Sequence, residues 1–96
     1  MQKLINTKLV RKLVRNIAGD SIYAHSYTDI NITNNDLRNV TFFVYEHKAK
    51  AIATELQALL ALAGYTNKVK VTTSKYNEMG RCGGNTYLRI NNCVLG

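Results

Sequence analysis

NVTFFVYE (residues 39–46), followed without a break by HKAKAIATELQALLALA (47–63), decides the fold. The first eight residues alternate: Val40, Phe42 and Val44 face one way, and Thr41, Phe43 and Tyr45 the other. β-Branched and aromatic residues with a period of two predict a strand. The period then changes. Ala49, Ile52, Leu56, Leu59, Leu60 and Ala63 recur at helical spacing and form a wide apolar face, with Lys50, Thr54 and Gln57 opposite. Gly64 ends this helix, and Tyr65 packs back over its last turn as in a Schellman motif. A strand feeding directly into a helix places the chain among α/β or α+β proteins.

Upstream, residues 2–18 predict another helix. Leu9, Val10, Leu13, Val14 and Ile17 share one side, Lys8, Arg11, Lys12 and Arg15 take the other, and Gly19 supplies the stop. Residues 21–32 alternate weakly and read as a half-polar strand. Thr33-Asn34-Asn35-Asp36 is turn chemistry, so this strand and 39–46 are expected to form a hairpin. Downstream, residues 68–74 place Val69 and Val71 inward and Lys68 and Lys70 outward. Residues 76–85 form a loop with Gly80, Gly83 and Gly84. Residues 86–94 are the last strand, with Leu88 and Ile90 inward and Tyr87 and Arg89 outward. The order α-β-β-α-β-β predicts an α+β domain spanning residues 1–96, with two helices on one face of a four-stranded, mainly antiparallel sheet. Strand order is not readable from the pattern.

The 96 residues hold 13 Lys and Arg against 6 Asp and Glu, a net charge of +7. Residues 1–19 account for +5 of this, through Lys3, Lys8, Arg11, Lys12 and Arg15 with no acid among them. A helix face that is merely solvated usually mixes Glu with Lys, because oppositely charged neighbours one turn apart support the helix. Unmixed cations match phosphates along a nucleic acid. The apolar side of this helix is needed for the core, which argues against a membrane surface as partner. The opening stretch interleaves basic and apolar residues instead of separating them as a secretory signal does, so a cytoplasmic location is expected. In that compartment the sequons at Asn31 and Asn39 carry no meaning.

Three further constellations bear on chemistry. Lys68 and Lys70 on one strand and Tyr87 and Arg89 on the next put an aromatic among cations. The loop 78–85, EMGRCGGN, offers Arg81 beside glycines that let backbone N–H groups approach an anion, but it has neither P-loop nor Rossmann spacing. His25, His47, Cys82 and Cys93 have no metal-ligand spacing, and nothing brings the histidines beside Arg81 or Arg89 as an acid–base site, so no metal, cofactor or reaction is assigned. Two cysteines do not make a disulfide framework; they either pair or remain thiols.

The expected role is nucleic-acid binding without catalysis. Contacts run to backbone phosphates through Lys8, Arg11, Lys12 and Arg15, supported by Lys68, Lys70, Arg81, Tyr87 and Arg89. The competing expectation is a small inhibitor or adaptor, of the kind viruses and mobile elements encode, that docks on an acidic surface of a host protein. Either role is open to a monomer or a homodimer formed through a sheet edge.

Overall fold

The computed structural model describes residues 3–19, 27–30, 36–73 and 86–96. The elements are α1 (Thr7–Ala18), β1 (Tyr27–Ile30), β2 (Leu37–Val44), α2 (Glu46–Leu62), β3 (Val69–Thr73) and β4 (Thr86–Val94). The class is α+β, two helices against an antiparallel sheet, and the element order is the expected one. Sheet neighbours run β1-β2-β4-β3, so the last strand lies at the centre, between β2 and β3. The chain between β1 and β2 falls partly at residues 31–35, outside the described residues.

The inward rows are in register across the strands. Val40 pairs with Ile90 and Phe42 with Leu88, while Val69 and Val71 meet the same two β4 residues from the other side. Both helices cover this face. Val10 and Val14 of α1, Ile52, Leu56 and Leu60 of α2, and Val40, Phe42, Leu88 and Ile90 of the sheet are all buried in one core.

α1 starts later than the periodicity suggested. Asn6 is its N-cap: the side-chain Oδ1 accepts from the Leu9 N–H at 2.7 Å, satisfying one of the donors a helix start leaves orphaned. Lys3 to Ile5 are thereby released to run beside other segments. The Ile5 carbonyl accepts from Val94 N, the Lys3 carbonyl accepts from Thr66 N, and Asn6 makes a parallel bridge to Val94. At the far end, Gly19 at φ 53° donates to the Arg15 carbonyl.

α2 ends as the Gly-Tyr pair predicted. Tyr65 N–H donates to Leu60 O and Gly64 N–H to Ala61 O, with Gly64 at φ 85°. Its faces differ from the expectation in two ways. Leu59, assigned to the core, is 39% exposed, and Ala63 is exposed as well. Gln57, assigned to solvent, is half-buried against the start of β3, where its Oε1 accepts from Val69 N and its Nε2 donates to Asn67 O. An amide that both accepts and donates substitutes for a strand neighbour at a sheet edge, and hydropathy does not register this.

β4 carries a bulge. The register slips between Arg38 and Val40 of β2, where Asn91 and Asn92 add a residue on β4, with Asn92 at φ 54°. Strict alternation would send Cys93 outward with Tyr87 and Arg89. The extra residue turns it into the core, where it is fully buried. Asn67 is also buried and ties the elements together. Its Oδ1 accepts from Ile5 N at 2.9 Å and its Nδ2 donates to Asn91 O at 2.6 Å.

Candidate nucleic-acid interface

The cations of α1 follow from its spacing. With Val10, Val14 and Ala18 committed to the core, positions 8, 12 and 15 must face away from it, and Lys8, Lys12 and Arg15 are exposed. Together with Arg11 and Asn16 they line a shallow groove of about 380 Å³. Among the described residues, no carboxylate pairs with Lys8, Lys12 or Arg15.

Arg11 differs from these three. It is half-buried, and its guanidinium donates to Thr28 Oγ1 on β1. Thr28 pairs with Val40, so this contact is made on the helix-covered side of the sheet. Arg11 therefore braces α1 against β1. Lys3 also leaves the expected cluster. Its ammonium donates to Ala63 O at 3.1 Å and sits 4.6 Å over the Tyr65 ring, where a cation favours the C-terminal end of α2.

The second set of residues is on the other face of the sheet. Lys70 and Arg89 face each other across β3 and β4 in one row, which continues through Thr41 on β2 to the backbone of Tyr27 on β1. The next row is Thr72, Tyr87 and Phe43. The rings of Tyr87 and Phe43 lie 5.1 Å apart at 60°. Lys70, Thr72 and Arg89 are exposed and the two rings half-buried. Thr41 is 2% exposed, and its Oγ1 has no hydrogen-bond partner among the described residues. Among the described side chains, the exposed ones on this face lie on β3 and β4. Lys68, exposed just ahead of β3, continues the period of Lys70. Tyr45, two residues past Phe43, is 46% exposed with its ring 6.0 Å from that of His47.

The two sets of cations therefore leave the protein from opposite sides of the sheet, and they do not form one stripe. Phe43 is the residue the sequence reading did not join to this face. Its outward parity was visible, but its place beside Tyr87 depends on β2 pairing with β4. Arg81, Cys82 and His25 lie outside the described residues, as does the whole of the loop 78–85.

Cys93 is a free, buried thiol. Burial pushes its pKa from 9.0 up to about 11, against a smaller opposing pull from the Arg11 guanidinium. It is protonated at neutral pH and so is not a nucleophile. Because its folded-state pKa is the higher one, its contribution to stability is complete below 9.0 and is lost as the pH rises through about 11. Among the described residues, no cluster of His, Cys, Asp or Glu is placed to hold a metal, and no helix is long and apolar enough to cross a membrane.

No protein-family model matches the chain, and comparisons with curated proteins and with solved structures find no match.

Proposed function

We propose that this protein binds nucleic acid through the sugar–phosphate backbone, with the outer face of α1 as the principal contact and without catalysing a reaction. The observation that carries this reading is the set Lys8, Lys12 and Arg15, exposed on one side of a helix that contains no acid. From Lys8 to Arg15 the helix rises about 10 Å, a length that runs past several backbone phosphates. Cations with no carboxylate partner among the described residues are open to an anionic ligand, and binding them releases the counterions condensed on it. Point-charge contacts of this kind position a protein on a backbone without reading its sequence.

The test uses a fluorescent oligonucleotide and the triple variant Lys8→Ala, Lys12→Ala, Arg15→Ala, with Arg11 left in place because it braces β1. Binding is expected to weaken more than ten-fold while the far-UV circular dichroism and the melting temperature stay put. Equal affinity of the two proteins rules out the α1 contact.

A separate observation favours a second reading, an adaptor or inhibitor on an acidic protein surface. Leu62 is 85% exposed and Leu59 also emerges, and another part of α2 borders a groove of about 480 Å³ lined by Ala53, Thr54, Gln57, Ala58, Ala61 and Val69. Nucleic acid has no need of such an apolar surface, whereas a protein partner does. A gel shift with generic DNA and RNA, beside a pull-down from nuclease-treated lysate, separates the two. Recovery of one protein without any shift supports the adaptor; a shift without recovery supports nucleic-acid binding.

A further inference from the structure

The outer face of the sheet combines features that α1 lacks. Its exposed charges, Lys70 and Arg89, occupy one row, and two aromatic rings, Phe43 and Tyr87, occupy the row beside it, two residues along the strands. Two residues of a strand span about 7 Å. At a 60° tilt the two rings are not stacked face to face on each other. The rings are also held by the sheet. Phe43 and Tyr87 are directly opposed across β2 and β4, the two longest strands, which reduces the ordering cost of binding.

Duplex ends aside, a paired nucleic acid offers phosphates but no base faces. A single strand offers both, at adjacent positions along the chain. From this juxtaposition we infer that the outer sheet face is a binding site for single-stranded nucleic acid, with bases stacking on Tyr87 and Phe43 while the neighbouring phosphates meet Lys70 and Arg89. Lys68 extends the charged margin at the entry to β3. Thr41, in the same row on β2, is buried and offers no contact. The contact is indifferent to base identity, since every base has a π face. This inference rests on the nucleic-acid reading above, but it concerns a different face, so the two can fail separately.

The experiment measures anisotropy of three labelled probes of equal length: an oligothymidylate, the same sugar–phosphate strand without bases, and a duplex. The proteins are the wild type, Tyr87→Leu, Tyr87→Phe, Phe43→Leu and the α1 triple variant. Leucine keeps the apolar bulk and removes the ring; phenylalanine keeps the ring. Melting temperatures confirm that each variant is folded. The wild type is expected to favour the oligothymidylate over the abasic strand by about ten-fold or more. Tyr87→Leu and Phe43→Leu abolish that preference without weakening abasic binding, Tyr87→Phe retains it, and the α1 variant weakens all probes alike. Equal binding of base-bearing and abasic strands, or a preference that survives Tyr87→Leu, overturns the stacking site and leaves the α1 contact standing. Failure of the wild type to bind any probe overturns both.

Discussion

α1 and α2 lie on the same sheet face and contribute to the same core, yet they are built differently. α1 has 12 residues and buries Val10 and Val14 at helical spacing, and every charged residue on it is positive. α2 has 17 residues and buries Ala49, Ile52, Leu56 and Leu60. Its charges are mixed in sign: Glu46 stands one turn before Lys50, with Lys48 between them, and Glu55 follows further along. α2 shows how this chain composes a helix face that only needs to be soluble, with acids and bases interleaved. The outer face of α1 departs from that composition at every charged position. The starts differ as well. Asn6 caps α1 through its side chain, whereas Tyr45 at the start of α2 makes no side-chain cap bond. Both helices are held by a buried face; α1 is held in addition by the Asn6 cap and by Arg11, and its outer side carries the exposed cations.

If that division is right, the largest stability effect comes from the core side of α2. Leu56→Ala is expected to cost about 2–5 kcal/mol in urea unfolding, with no change in oligonucleotide affinity while the protein is folded. Charge reversal distinguishes the helices most clearly. Lys12→Glu on α1 is expected to weaken oligonucleotide binding about ten-fold, while Lys50→Glu on α2 leaves it nearly unchanged. Equal effects at the two positions would mean that only net charge matters. Next come the supports of α1. Asn6→Ala removes the cap and Arg11→Ala removes the brace to Thr28, each costing about 1 kcal/mol in the same unfolding assay. Lys8→Ala, at the exposed position between them, stays within about 0.5 kcal/mol. The smallest effect belongs to Leu62, whose truncation to Ala changes stability by less than about 0.5 kcal/mol because the side chain is already in water.

Much of this architecture was legible in the residues, because period and stop signals are local. The rows Val40–Phe42–Val44 and Leu88–Ile90, and the ends at Gly19 and Gly64, needed nothing beyond sequence neighbours. Leu59 and Ala63 were misread because an apolar residue at helical spacing need not reach the core, but the misread polar positions share another cause: the side chain bonds to a segment distant in sequence. Gln57 reads as a solvent residue until β3 is beside it, and Lys3 counts as helix charge until the end of α2 is placed under it. Asn6 is the exception, since an Asn ahead of the first periodic apolar residue is a start signal that was there to be read. The candidate sites divide the same way. The α1 face was visible as spacing and charge, but the inward turn of Arg11 was not, because it depends on where β1 lies. The outer sheet face showed only one of its two rings, since joining Phe43 to Tyr87 required the strand order.

The salt dependence of binding tests the central claim most directly. Each phosphate neutralised on a duplex contributes a slope of about −0.9 to the logarithm of affinity against the logarithm of salt concentration. Relative to the wild type, the Lys8→Ala, Lys12→Ala, Arg15→Ala protein is predicted to give a plot on duplex DNA that is flatter by between about 2 and 3. Superimposable slopes for the two proteins would contradict the assignment of these side chains to phosphate contact.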